Sequence, residues 1–372
     1  MKRNFLKLIA IGVLPFFIAV SCSKDDKNEP LTKQEAVEIL EGSNQLMAQT
    51  MGEILQTEAM GALMTFANLY FPDERSTPNL VDVTEKLVLL TGQTTVEPIL
   101  PSFTFTSKAE VEDTPFGNYG TYTWDLALQS WTYEANPDNE LIFNFPSDGT
   151  QEENNAVLTL KDFNFMEMEG GGLLTGIKLS LLVDNVNVLS VDYALALNAE
   201  GLGDLSLTID MKPFLLSADL NFTSNSTGLM LGMQNSMKKE GVTIQASNLQ
   251  AQFGPLTLMD FINEDGEEDI EDEIMPLTVD GFVQMGEVKA TLEMNLAEFF
   301  QGLSNLTDPA DITTHADKYL KVKLYVYPAG NSIAYVRWSL VDGEPVPLLV
   351  FSNGDEESLS NYFPDILTDL LS

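Results

Sequence analysis

Apolar and polar residues alternate along residues 173–253 with few breaks. Ile177, Leu179, Leu181 and Val183 fall on one face, and Leu189, Val191, Tyr193, Leu195 and Leu197 continue the series. Leu205, Leu207, Ile209 and Met211 repeat it, as do Phe214, Leu216, Ala218, Leu220 and Phe222. Asp192, Ser206, Thr208, Asp210, Ser217, Asp219 and Asn221 occupy the positions between. A period of two places every second side chain on the same face, so each stretch predicts a strand with one dry and one wet face. The separators, such as Lys212-Pro213, are short and join antiparallel neighbours into a meander. A further strand is predicted through Val242, Ile244, Ala246 and Leu249. At ~25 cal/mol per Å² of apolar area, leaving several such strands bare would cost tens of kcal/mol. The sheet must therefore curl around helices, close on itself or pack on a second sheet.

The same alternation extends to both sides. Gly120–Trp124 and Trp131–Glu134 read as a hairpin with Tyr122 and Trp124 on one face of the first strand and Trp131 and Tyr133 facing alike on the second. Leu141–Phe145 and Ala156–Phe165 follow as strands. Leu277–Met294 has strand character interrupted by Gly281 and Gly286, Leu296–Leu303 reads as a helix, and His315 sits in a predicted loop. Lys318–Tyr327, Ser332–Val341 and Val346–Phe351 predict three closing strands, with a short helix at the C-terminal end from Leu359.

The period changes to helical before the sheet. Thr32-Lys33-Gln34-Glu35 is a capping box, in which hydroxyl and carboxylate each satisfy a free backbone N–H of the first turn. Apolar residues then recur at helical spacing, and Gly42, Gly52 and Gly61 predict two or three helical pieces up to residue 70. A shorter helix is expected over Leu80–Leu90. The predicted fold class is mainly β with helices (α+β): a long antiparallel meander curled into a partly open barrel or half-barrel, with the N-terminal helical segment packed on its apolar face. Ile39, Leu40, Met47, Met51, Leu55 and Leu63 are expected to turn toward Leu181, Val191, Leu195, Leu207 and Leu220. The organisation is a leader at 1–21, a tether at 22–31, a helical segment at 32–100 and a β domain at 101–372.

The leader has its own pattern. Lys2, Arg3 and Lys7 head an apolar run from Leu8 to Val20, which ends at Ser21-Cys22 and a polar Ser23-Lys24-Asp25-Asp26. That is the layout of a secretory signal, with a core too short to span a bilayer comfortably. Cys22 is the only cysteine among 372 residues. The arrangement resembles the lipobox of bacterial lipoproteins, with Ala19 where that family favours Leu. Ser23, Lys24, Asp25 and Asp26 resemble the acidic export signal of surface-exposed Bacteroidota outer-membrane lipoproteins. The resemblance implies lipidation at Cys22, anchoring to the outer membrane and display toward the cell exterior.

Charge narrows the partners. The chain carries 19 Lys+Arg against 56 Asp+Glu, a formal charge of −37, and removing residues 1–21 with their three cations takes it to −40. Such a field repels nucleic acid and anionic membrane surfaces, leaving a lipid, a glycan or a protein as the expected ligand of the body. No disulfide framework or thiolate metal site is available to a chain with one cysteine. Asn263, Asp265, Gly266 and Asp272 resemble part of a calcium loop, but Phe261 stands at the first ligand position and the last is Asp, so the acidic run 263–273 reads as a solvated loop, with a weak calcium site as the competing role, and no metal site or cofactor is assigned. His315 is the only histidine, and neither a catalytic triad pattern nor a phosphate-binding glycine motif occurs. Tyr122, Trp124, Trp131 and Tyr133 are the candidate ligand-binding residues, as a stacking platform for a sugar ring; packing into the core is the competing role. Two functions stand in front: a lipid-anchored, non-catalytic binding module for an apolar or glycan ligand, and a structural or partner-binding outer-membrane lipoprotein.

Overall fold

A computed structural model of the protein describes residues 30–70, 119–168, 171–197, 203–225, 228–254, 277–303, 306, 308–341 and 344–362. Cys22, the export signal Ser23–Asp26, the expected helix at 80–90 and the acidic run 263–273 lie outside the described residues. Of the C-terminal helix expected from Leu359, a 3-10 turn over Leu359–Asn361 is described, and the chain beyond Tyr362 lies outside the described residues.

Two helices open the described chain. α1 spans Lys33–Leu55 and α2 spans Glu58–Tyr70. Thr32 caps α1 through the reciprocal bonds expected from its sequence: Glu35 N–H donates to Thr32 Oγ1, and Thr32 N–H donates to Glu35 Oε2 at 2.9 Å. Gly42 and Gly52 lie inside α1 without breaking it, because buried Ala36, Leu40, Ser43, Thr50 and Ile54 form a stripe that packing holds.

Among the described residues sixteen strands follow in a single sheet. They are β1 Gly120–Asp125, β2 Ser130–Ala135, β3 Leu141–Phe145, β4 Ala156–Met168, β5 Gly171–Val183, β6 Val186–Leu197, β7 Gly203–Met211 and β8 Phe214–Asn225. The series continues with β9 Gly228–Lys239, β10 Val242–Gln252, β11 Thr278–Met285 and β12 Val288–Asn295. Two helices, α3 Leu296–Leu303 and α4 Pro309–Tyr319, precede β13 Leu320–Val326, β14 Ser332–Val341, β15 Glu344–Phe351 and β16 Glu356–Ser358. From β3 to β16 each strand pairs with the next, antiparallel throughout. At the other edge β1 lies parallel to β3, and β2 is outermost. The sheet is not closed into a barrel; β2 and β16 are its edges.

A meander brings alternate turns to the same end. The β5–β6, β7–β8, β9–β10, β11–β12, β13–β14 and β15–β16 turns lie at one end of the sheet, called here the near end. Backbone bonds link them in series. Lys212 N–H donates to Val188 O, Glu240 N–H to Pro213 O, Gly286 N–H to Ile244 O and Tyr327 N–H to Glu287 O, at 2.7–3.3 Å. Leu31 N–H joins the series at Ser332 O, 3.2 Å away.

The helices divide the dry face between them. α2 contributes Met60, Leu63 and Phe66 to a core with Phe143, Phe145, Leu158, Leu181 and Phe214. α1 buries Ala36 and Leu40 against Val288, Leu324, Ile333, Leu349 and Phe351. α3 and α4 bring Leu296, Phe299 and Ala316 onto Met233, Leu249, Val279 and Leu320. The helical segment thus packs on the apolar face, but with a different partition from the one the spacing suggests. Leu63 meets Leu181 as expected, whereas Leu40 packs on the last strands. Met51 and Leu55 are about half exposed, because the buried stripe runs through Thr50 and Ile54, one position earlier. Leu195, Leu207 and Leu220 group with Tyr193 and Leu205 in a separate small cluster.

Candidate functional site

The aromatic hairpin forms as the alternation predicts, and its four candidate residues come together. Tyr122 faces Tyr133 and Trp124 faces Trp131 across the β1–β2 ladder, with ring centroids 5.0 and 5.4 Å apart. Their dry side is filled from α2. Phe66 meets Trp131, Phe143 and Phe145 with centroids 5.1–5.9 Å apart, and Tyr122 stacks on Phe143. Tyr122 is 2% exposed and Trp124 is 8% exposed, so their faces are part of the core rather than an open platform for a sugar. Of the four, Tyr133 stands in solvent, with its hydroxyl donating to Tyr119 O.

An opening lies elsewhere, between β13 and β14. β13 is paired to β12 from Leu320 to Val326, and β14 to β15 from Ala334 to Val341. Toward each other they pair only at Lys323–Tyr335, Leu324–Ala334 and Tyr325–Ser332, then part. The reason is the arrival of α4 directly ahead of Leu320. Its Asp317 Oδ1 accepts from Trp338 N–H at 2.6 Å and takes up a β14 donor that β13 does not meet. The two strands and the helix end enclose a cleft of about 190 Å³ lined by Asp317, Lys321, Val322, Lys323, Tyr335, Val336 and Arg337.

The electrostatics of this cleft run against those of the chain. Three of its seven lining residues are cations in a protein with a formal charge of −37. Arg337 pairs with Glu356 on β16. Lys321 has a loose partner in Glu293 at 3.8 Å. Lys323, exposed, has no carboxylate partner among the described residues. Burial pushes the Asp317 carboxyl above the usual carboxylate range, and the Trp338 N–H and the Arg337 charge oppose that shift. On the same wet face Asp280 lies opposite Glu293, and burial together with that neighbouring carboxylate raises it too. Tyr335 is 46% exposed and offers a ring beside the cations. Charged donors around a small cleft with one aromatic wall suit an anionic group on a polar ligand. The sequence signal was the spacing of Lys321, Lys323 and Arg337, masked by their place in ordinary wet-face alternation.

His315 belongs to helix α4, not to the loop expected for it. Asp308 caps that helix by accepting from Ala310 N–H, and Pro309 pre-sets its first turn. The imidazole Nε2–H donates to Phe299 O at 2.8 Å, and the ring stacks on Phe299 and meets Tyr319 edge-on. A Cβ on Gly302 would stand 2.0 Å from His315 Cε1, so glycine is required for α3 and α4 to close on this ring. These contacts tie the two helices together. Among the described residues no group of three or more His, Cys, Asp or Glu is placed to hold a metal ion. No described helix is long and apolar enough to cross a membrane.

The chain matches no family model, no curated protein and no solved structure.

Proposed function

We propose that the protein is a non-catalytic binding module of the cell envelope, held to the outer membrane by a lipid on Cys22 and displayed toward the exterior. Its ligand is an acidic glycan or another polar molecule bearing an anionic group, received in the cleft between β13 and β14. The observation that carries this reading is the concentration of Lys321, Lys323 and Arg337 around one cleft of a strongly acidic chain. Chain-wide repulsion disfavours anions elsewhere, so a site that gathers cations is selective by contrast. Tyr335 supplies a face for a sugar ring, and Asp317 Oδ2 is an acceptor for hydroxyls.

The test is calorimetric titration of the Cys22→Ser chain with an oligogalacturonate and with its neutral, methyl-esterified counterpart. Binding of the acid form that weakens with salt, and weakens by about tenfold or more in Lys323→Ala, supports the cleft. Equal binding of both forms, or none, sinks it. A second reading, a protein partner, is favoured by β2, whose outer side has no neighbour in the sheet among the described residues and whose Thr132, Tyr133, Glu134 and Ala135 are exposed. An added strand from another chain would complete that edge.

A further inference from the structure

Exposed large apolar residues collect at the near end of the sheet. Val186 follows the β5–β6 turn, Leu215 the β7–β8 turn and Val242 the β9–β10 turn, at 61%, 38% and 64% exposure. Tyr327 in the β13–β14 turn is also exposed. Met51 and Leu55 end α1 beside this rim, where Glu53 pairs with Lys239 at the end of β9. The turns themselves are Asp184-Asn185, Lys212-Pro213 and Glu240-Gly241, as turn chemistry asks, and an exposed valine or leucine stands one or two positions behind each.

The rim is also where the N-terminal chain arrives. Leu31 N–H donates to Ser332 O, Ser352 Oγ donates to Leu31 O, and Lys33 pairs with Glu357. The chain from Cys22 to Leu31 can reach at most about 30 Å when fully extended. A lipid on Cys22 therefore keeps the starts of β14 and of the turn after β15, at the near end, within that distance of the bilayer.

From the exposed tips and the place of the tether we infer that the near-end rim rests on the bilayer that holds the Cys22 lipid, with Val186, Leu215 and Val242 in its interfacial layer. This rests on the lipid-anchor reading above. Valine and leucine enter the acyl boundary, and Tyr327 suits the headgroup level. The acidic body is thereby held upright, with the far-end turns facing away from the membrane.

The test uses the lipidated mature chain in phosphatidylcholine vesicles with Val186→Cys, Val242→Cys or, at the far end, Val341→Cys. Val341 is 46% exposed and serves as the control. Acylation of Cys22 leaves the introduced cysteine as the only free thiol for a fluorescent label. Nitroxide-bearing phosphatidylcholine is expected to quench the label several-fold more at 186 and 242 than at 341. Equal quenching at all three positions, in protein that floats with the vesicles, overturns the rim and leaves the anchor standing. If mass spectrometry finds Cys22 unmodified, the anchor falls instead. The same positions in a Cys22→Ser background, with vesicles added, then decide the rim alone: selective quenching at 186 and 242 supports it, and its absence overturns it.

Discussion

The β1–β2 and β13–β14 pairs are both short antiparallel partnerships rich in side chains that bind ligands in other settings. One became core and the other an opening. β1 and β2 stay in register over their whole length, from Gly120–Ala135 to Asp125–Ser130, and Phe66 seals their dry face. β13 and β14 hold register for a few residues and then separate where α4 enters. Side-chain type did not decide the outcome; the continuity of the ladder did. A continuous pair meets its own backbone groups along the shared ladder, whereas a parted pair leaves backbone groups and side chains to be met by something else.

The contrast can be broken by mutation. The largest effect is expected at the sealed pair. Phe143 is fully buried beneath it, so Phe143→Ala should cost about 3–5 kcal/mol in denaturant unfolding and leave anion binding intact in the folded fraction. At the open pair the effects should invert. Lys323→Ala should weaken acidic-oligosaccharide binding by about tenfold or more, measured by calorimetry, from loss of a charge-assisted bond. Its unfolding free energy should change by less than about 0.5 kcal/mol, as for an exposed side chain.

Asp317 joins the two properties. Asp317→Ala leaves the Trp338 N–H without its acceptor and should cost about 1–2 kcal/mol of stability, while Asp317→Asn keeps an oxygen there and should cost less. Unfolding curves of the two variants side by side check this. The smallest effect is a pH dependence. Because the folded Asp317 carboxyl lies above its unfolded value, ionisation opposes folding, and that penalty is relieved as pH falls through the folded pKa. The same protonation removes a negative charge from the cleft. Anion binding should therefore strengthen as pH drops from neutrality toward that pKa, until the ligand itself protonates, and Asp317→Asn should flatten the trend. Titrations at several pH values read it directly.

Much of the sheet was legible because its signal is local. The alternation over Ile177–Val183 or Leu205–Met211 needs no knowledge of neighbours, and the Thr32 capping box is complete within four residues. Less was legible where placement depends on distant chain. Met51 and Leu55 are apolar and Thr50 is not, yet Thr50 is buried and they are exposed, because the rotation of α1 is set by strands distant in the chain, through Leu40 at one end and Ile54 at the other. The run Thr313–Asp317 around His315 predicts a loop, since threonines are poor helix formers, while the Asp308-Pro309 start of α4, the stronger cue, stands before a segment with little apolar period. The cleft was hidden most completely. Lys321 and Lys323 alternate with Leu320, Val322 and Leu324 like any wet face, and nothing in that run tells where its neighbour departs.

The seat of α1 has a consequence for how the chain is made. Asn44 Nδ2 donates to Tyr362 O and Ser352 to Leu31 O, contacts between residues more than 300 positions apart. A polypeptide that emerges N-terminus first has produced α1 long before Leu324, Ile333 and Leu349, the residues that bury Ala36 and Leu40 in its first half, exist. For that interval that half of α1 must stay in water or in the grip of a chaperone, and loop closure over nearly the whole chain precedes its reward. A chain stopped short of β14 therefore leaves Ala36 and Leu40 without the strands that bury them, and the first half of α1 waits for the last part of the sheet.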